Sequence, residues 1–127
     1  MNDRNTQRIP LQISNDCLVA SVQLELTETV LQQFRDDLLE RLESSAATGV
    51  ILDLSGVLVI DLEDFNALRT TIKMVSLMGA IVVVCGLRPG VVSSLIELGA
   101  HIDGINAALN LDAAFRLFEN LRRESQG

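Results

Sequence analysis

Three acidic residues stand close together near the middle of the sequence and are the first candidates for chemistry. Asp61, Glu63 and Asp64 lie at the start of a stretch whose apolar residues recur at helical spacing. Paired carboxylates can serve as an acid and a base, but carboxylates also favour the first turn of a helix because they interact well with its dipole. Dipole stabilisation is the simpler interpretation. The functional alternative is an acidic surface to which a partner protein docks.

Nucleophiles, metal ligands and nucleotide-binding loops are the next candidates. His101 is the only histidine, so neither a Ser-His-Asp triad nor a histidine-based metal site can be assembled. Cys17 and Cys85 lie in apolar runs without a C-x-x-C pair, and we expect two buried thiols, with a disulfide as the less favoured alternative. The motifs G-x-x-x-x-G-K-[ST] and G-x-G-x-x-G do not occur. We therefore expect a protein that is not an enzyme and that uses no metal or cofactor.

Two further segments resemble binding elements without completing them. Gly86 to Gly90, with Arg88, precedes a predicted helix and offers an anion site, but its proline removes one N–H donor, and we interpret the segment as a connector. Asp53 ends a predicted strand, as the phospho-acceptor of receiver domains does. The acidic pair that holds a divalent metal in those domains is missing, because Val22-Gln23-Leu24 stands in its place. We expect Asp53 to bracket the turn at Ser55-Gly56 instead.

Charge and composition exclude several classes of partner. The formal net charge of −7 at pH 7 repels phosphate backbones, and the chain has no Trp or Tyr on which bases stack, so we expect no nucleic-acid partner. The longest apolar run, residues 81–85, is far shorter than the ~20 residues of a membrane-spanning helix. Residues 1–10 lack the apolar segment of a secretory signal. We expect a cytoplasmic protein without a membrane partner.

A series of alternating strands and helices must position these residues. The 127-residue length and the 48% hydrophobic content fit one α/β domain with a mixed or mostly parallel sheet. The predicted order is β-β-α-β-α-β-α-β-α. The strands are predicted at 11–13, 17–23, 49–54, 81–85 and 105–107, and the helices at 28–44, 62–78, 89–98 and from a cap at Asn110 or Asp112 onward.

The apolar stripes of three helices predict which faces are buried. The residues expected to face the core are Phe65, Leu68, Ile72 and Val75 on the second helix, Val92, Leu95 and Ile96 on the third, and Ala114, Phe115, Phe118 and Leu121 on the last. At the chain ends, we expect a flexible lead-in over residues 1–9, a domain over 10–123 and a frayed tail over 124–127.

The order of elements and two short stretches resemble the STAS domains of anti-sigma-factor antagonists. Leu54-Ser55-Gly56-Val57 and Val59-Ile60-Asp61 are similar to the D-L-S/T strand end and the V-I/M-D-S helix start of that family. The resemblance is closest to the RsbS-type stressosome scaffold proteins. It is carried by residues 9–11, 17–26, 77–80, 86–89, 95–99 and 105–111. It extends over residues 9–121 and implies a SpoIIAA-like fold, a mixed β-sheet of four to five strands covered by four helices.

The resemblance also implies a function in signalling. RsbS-type proteins co-assemble with RsbR-type STAS paralogues into a large homo- and hetero-oligomeric complex, the stressosome. They hold an RsbT-type serine/threonine kinase, which phosphorylation releases during the general stress response. The partner-binding residues implied for this chain are Asp61, Leu62, Glu63, Asp64 and Arg88. Two alternatives stay open: a stand-alone antagonist that binds an anti-sigma kinase, and a STAS sensor that binds a small ligand.

One residue departs from the family pattern. Leu62 stands where the family carries its phosphorylatable serine, and leucine offers neither a hydroxyl nor the roughly −1.5 to −2 charge of phosphoserine. Glu63 and Asp64 add negative charge beside it. The second family phosphorylation site falls on Ser94, next to Ser93, and Ser94 is therefore the remaining phosphorylation candidate.

Overall fold

A five-stranded sheet flanked by four helices forms the core of the computed structural model, which describes residues 8–126. The strands are β1 (Leu11–Ser14), β2 (Cys17–Ser21), β3 (Gly49–Asp53), β4 (Ile81–Cys85) and β5 (Asn106–Ala108). The helices are α1 (Glu28–Ser44), α2 (Leu62–Leu77), α3 (Pro89–Glu97) and α4 (Leu111–Gln126). The predicted order of elements is confirmed.

The sheet is mixed because a tight hairpin reverses the chain once at its start. Strand β1 pairs antiparallel with β2, and Asn15 and Asp16 form the intervening turn with positive φ angles of 51° and 68°. From β2 onward each strand pairs parallel with the next, in the order β1-β2-β3-β4-β5. The connections that run from one parallel strand to the next contain α1, α2 and α3.

The two faces of the sheet bury different sets of side chains, because successive residues of a strand point to opposite faces. Leu18, Val50 and Val84 belong to the larger apolar core, which also holds the buried residues of α1, α2 and α3. Ile51 and Val83 belong to a smaller core on α4, together with Phe118, which has no exposed surface. Helix α4 therefore covers one face of the sheet, and the other three helices cover the opposite face.

The helix boundaries follow from capping groups that the sequence displays. The Thr27 hydroxyl accepts a hydrogen bond from the Val30 amide at the start of α1. The Asn110 side chain accepts one from the Ala113 amide at the start of α4, which decides between the two predicted caps. Gly79, with a φ of 92°, follows the end of α2, where a left-handed residue ends the helix at low cost.

The predicted buried face of α3 is partly wrong. Val91 and Leu95 are buried, whereas Val92 and Ile96 are exposed by 37% and 56% of their surface. Both pairs have the i, i+4 spacing of one helix face, so α3 carries two adjacent apolar stripes and only packing selects between them. On α2, Ile72 is half-buried and packs against the larger core, and on α4, Phe115 and Leu121 are half-buried and pack against the smaller core.

The chain ends also differ from the expectation. Residues 1–7 of the predicted lead-in, and Gly127, lie outside the described residues. Ile9, which we had included in the lead-in, is buried in the larger core with only 3% of its surface exposed. Helix α4 continues to Gln126, so residues 124–126 of the expected frayed tail are helical.

Candidate partner-binding surface

Three loops meet at the edge of the sheet where the parallel strands end. They follow β2, β3 and β4 and comprise residues 22–27, 54–61 and 86–88. Backbone hydrogen bonds continue the pairing into these loops, from the Val22 amide to the Asp53 carbonyl (3.0 Å) and from the Leu54 amide to the Cys85 carbonyl (2.9 Å). In α/β proteins this edge is where binding sites are usually found, because loop side chains from neighbouring strands converge there.

The middle loop, residues 54–61, is fixed at its beginning by hydrogen bonds. The Asp53 carboxylate accepts a 3.0 Å hydrogen bond from the Ser55 amide and so brackets the turn, as its position in the sequence predicts. The Arg88 Nε donates a 2.9 Å hydrogen bond to the Ser55 carbonyl oxygen. Gly56 approaches the first loop so closely that a Cβ atom there would lie 2.5 Å from the Val22 carbonyl oxygen. This part of the middle loop therefore has little freedom to move.

The same loop presents two apolar side chains to solvent. Val57 and Ile60 are anchored in the core, whereas Leu58 and Val59 between them are exposed by 70% and 78% of their surface. Side chains of this type at a loop tip gain no folding energy from their position, and neighbouring exposed apolar residues are typical of interaction surfaces.

Carboxylates surround this apolar tip. Asp61 caps α2 by accepting a 2.8 Å hydrogen bond from the Asp64 amide. The pKa of the Asp64 carboxyl is raised above its usual value, mainly because the group is partly buried. Repulsion by the negative charges of Asp61, Glu63 and Glu28 contributes further. The carboxylates at the start of α2 therefore repel one another.

A groove separates the first loop from the middle loop. We call it the loop groove; it has a volume of about 450 Å³. Its lining residues are Gln23, Leu24, Glu25, Leu26, Asp64 and the segment 56–61. Its rim thus combines the exposed apolar pair with acidic side chains, which suits a partner segment that carries apolar and basic residues.

The predicted site residues occupy two regions. Asp61, Glu63 and Asp64 lie together at the start of α2, with exposed or half-buried side chains, and the half-buried Leu62 lies among them. Arg88, at the cap position of α3, contacts the same loop through Ser55. Ser94 is exposed on α3, and Ser93 beside it is exposed as well. The phosphorylation candidate is thus on a different helix from the acidic residues.

Leu58 and Val59 are not among the partner-binding residues expected from the sequence. The signal that could have found them is the run Val57-Leu58-Val59-Ile60, which follows a strand and a turn but has no strand partner to bury all four side chains. A run of four apolar residues in a loop leaves some of them exposed.

The two cysteines are free, fully buried thiols, as expected. Burial raises the pKa of the Cys17 thiol to about 12 and that of Cys85 to about 11. The thiolate form needed for nucleophilic attack is therefore suppressed. Within residues 8–126, no group of three or more His, Cys, Asp or Glu side chains is placed to hold a metal ion. No helix in this part of the chain is both long and apolar enough to cross a membrane.

Comparison with known proteins agrees with this architecture. The family model for the STAS domain matches residues 8–122. A Moorella thermoacetica RsbS variant, in which glutamate replaces a serine, is 28% identical with a TM-score of 0.78; the similarity covers 91% of this chain and 97% of that one. A chain from a structure described as the molecular architecture of the stressosome, a signal integration and transduction hub, is also 28% identical, with a TM-score of 0.75 and coverages of 90% and 99%.

A more distant structure shares the fold alone. The anti-sigma factor antagonist SpoIIAA in its unphosphorylated form is 13% identical, with a TM-score of 0.65, over 91% of this chain and 96% of that one. The SpoIIAA-like fold expected from the sequence is thereby confirmed. No curated protein is similar enough in sequence to match this chain.

Proposed function

Because this chain belongs to the STAS domain family, we propose that it is a non-enzymatic scaffold and regulator of the stressosome, similar in role to RsbS. It co-assembles with RsbR-type paralogues and sequesters an RsbT-type kinase in general stress signalling. The observation that carries this proposal is the similarity to RsbS over 91% of this chain and 97% of that one. The role requires a cytoplasmic location, which stays a prediction.

The loop groove is the surface that we assign to the kinase. Its exposed pair, Leu58 and Val59, offers apolar area that a partner can remove from water, at about 25 cal/mol per Å². Glu25, Asp61 and Asp64 line the same groove and give it negative charge, which selects a basic partner surface and speeds the encounter. Arg88 keeps the loop in one conformation, which lowers the entropy cost of binding.

Position 62 determines how this surface is regulated. Leu62 cannot accept phosphate, so the start of α2 keeps one charge state, set by the carboxylates around it. In our proposal, phosphorylation of this chain is confined to Ser94, whose side chain is exposed on α3. The acidic start of α2 is then a permanent feature of the docking surface and not a switched one.

Light scattering after size-exclusion chromatography tests the assembly. We expect the chain mixed with an RsbR-type paralogue from the same genome to elute as a particle much larger than either protein alone. A monomer that ignores such partners would contradict the proposal. If that monomer still binds a serine kinase in a pull-down, the stand-alone antagonist is the correct function.

Mass spectrometry after incubation with the RsbT-type kinase and ATP tests the regulation. We expect phosphate on Ser94 and none on the peptide that contains Leu62. The matched control is Ser94→Ala, with Ser93 left intact, which should abolish the modification. Phosphate on neither serine would leave a scaffold without a phosphorylation switch of its own.

A further inference from the structure

A second cavity lies on the side of α2 that faces α3, away from the loop groove. Its volume is about 250 Å³, and the side chains that line it are all apolar. Leu54 and Val84 belong to its inner wall and are buried, whereas Val92 and Ile96 line it as exposed residues of α3. Val92 and Ile96, which we expected to be buried, thus form the open side of this pocket.

The shape of the pocket favours a slender hydrocarbon chain. It extends from exposed residues to side chains such as Leu68 and Val84, which have 2% and 3% of their surface exposed. A partner protein with a flat surface would contact only the exposed residues at the mouth and would leave the inside of the pocket empty. An apolar cavity of about 150 Å³ holds benzene, so this volume holds on the order of ten carbon atoms.

A second groove, with a volume of about 350 Å³ and two basic residues in its lining, adjoins the pocket. Ile72 and Ile105 line both cavities, and on the far side of these two residues the groove is lined by Arg69 and Lys73. Lys73 is the only lysine of a chain with a net charge of −7. The Asp103 side chain lines the same groove and offsets one of the two positive charges.

Arg69 has an unused hydrogen-bond donor. Its Nη2 donates to the Asp103 carbonyl oxygen at 3.4 Å, but its Nε is buried and finds no hydrogen-bond partner within residues 8–126. Leaving a buried N–H of a charged group unpaired costs free energy, but this Nε has almost no accessible surface, so a ligand in the groove cannot reach it. The guanidinium still carries its positive charge at the groove, and a carboxylate is the group that pairs with that charge and with Lys73.

We propose that this pocket binds a medium-chain carboxylate amphiphile, with its hydrocarbon chain between α2 and α3 and its carboxylate beside Arg69 and Lys73. The inference does not depend on the kinase-docking surface, because the pocket shares no lining residue with the loop groove. A bound amphiphile stabilises the contact between α2 and α3.

Titration of the purified chain with decanoate and with decan-1-ol, followed by amide NMR and thermal unfolding, tests the proposal. We expect decanoate to raise the melting temperature with concentration and to shift the amides of β4, α3 and residue 105. Val92→Phe fills the open side and should weaken binding of both probes. Lys73→Gln should weaken decanoate binding about twofold to fivefold and leave decanol binding unchanged.

Arg69→Gln should also weaken decanoate binding by about twofold to fivefold, because it removes the other positive charge of the groove. Arg116→Gln, an exposed change on α4, is the matched control and should leave both affinities unchanged. The proposal is overturned if decanoate does not bind below its micelle concentration, or if Val92→Phe leaves its affinity intact. It is also overturned if Val92→Phe dissociates an oligomer while decanoate binds nowhere, since the exposed apolar residues would then form an interface between copies.

Discussion

The guanidinium of Arg88 and the carbonyl oxygen of Ser55 are joined by a 2.9 Å hydrogen bond that links the start of α3 to the loop between β3 and α2. The two residues are 33 positions apart in the sequence. The conformation of the middle loop, which we assign to the kinase, therefore depends on the connection between β4 and α3.

Removing this bond should loosen the loop. We expect Arg88→Ala to speed hydrogen exchange at the amides of residues 55–60, while the free energy of unfolding falls by only about 1 kcal/mol, because the contact is exposed. Exchange mass spectrometry measures the first effect and urea unfolding the second. Arg88→Lys keeps the charge and is the control. If hydrogen exchange at these amides is unchanged in Arg88→Ala, the hydrogen bond from the Ser55 amide to the Asp53 carboxylate is sufficient to hold the loop.

Restoring a hydroxyl at position 62 should restore a phosphorylation site. Leu62 is half-buried in the first turn of α2, one residue after the cap Asp61, and a serine fits there because Ser is tolerated in the first turn of a helix. We expect Leu62→Ser to gain one phosphate from an RsbT-type kinase, detected by mass spectrometry, and Leu62→Ala to gain none. A kinase that ignores the new serine would show that the flanking carboxylates block recognition.

Asp64→Asn should stabilise the protein at neutral pH. The pKa of Asp64 is raised in the folded chain, so its contribution to stability is fully present below the ordinary pKa and is lost as the pH rises through the folded value. The amide keeps a side-chain donor toward Asp61 without adding charge. We expect a gain of about 0.2–0.5 kcal/mol in urea unfolding at pH 7, which vanishes in acid.

The matched control for that change is Glu43→Gln, which removes an exposed carboxylate elsewhere, near the end of α1. Its gain in the free energy of unfolding at pH 7 should be clearly smaller than that of Asp64→Asn. A gain from Glu43→Gln equal to that from Asp64→Asn would attribute the effect to net charge and not to the local repulsion at the start of α2.

The buried thiols should make the protein sensitive to alkali. The unfolded thiols ionise near 9.0, whereas Cys17 and Cys85 in the folded chain do so near 12 and 11. Above pH 9.0 the unfolded state therefore loses protons that the native state keeps, and stability falls by up to about 1.4 kcal/mol per thiol for each pH unit. The chain has no Tyr and a single Lys, so few other groups titrate there.

Urea unfolding between pH 8 and 11 measures how the free energy of unfolding depends on pH, over the range in which the thiols of the unfolded chain ionise. Cys85→Ala should remove part of the alkaline decline while it lowers stability at pH 7. Thiol reagents should react with the native wild-type protein only as fast as it unfolds. An alkaline decline that is unchanged in Cys85→Ala would contradict the assignment to this thiol.

The contact between Gly49 and Phe118 should be sensitive to a single methyl group. A Cβ atom at Gly49 would lie 2.7 Å from Cδ1 of the Phe118 ring and 3.0 Å from Sγ of Cys17. We expect Gly49→Ala to cost about 1–3 kcal/mol by overpacking and Phe118→Ala to cost about 3–5 kcal/mol by leaving a cavity. The double variant should lose less free energy of unfolding than the sum of the two single losses, because the space left by the Phe118 ring accommodates the new methyl group. Additive costs in urea unfolding would rule out this contact.

Much of the fold was predictable from local patterns. The positions of α1 and of β4 agree with their predicted bounds, because a capping residue, a helical stripe or a short apolar run between glycines marks each of them. The acidic start of α2 and the turn at Asp53 were likewise visible, since both depend on hydrogen bonds between residues two or three positions apart. The resemblance to STAS domains, which the family match confirms, rested on these same segments.

The remaining features depend on contacts between distant residues. The sequence of α3 has two equivalent apolar stripes, and only packing in the larger core turns Val91 inward and leaves Val92 beside the pocket. Contacts between distant residues also determine the burial of Ile9, the hydrogen bond from Arg88 to Ser55 and the unpaired Nε of Arg69. The sequence by itself thus determined which elements form and the chemistry at position 62, because these are set by neighbouring residues. Only the tertiary structure decided which apolar side chains stay exposed, because burial is a property of the assembled layers.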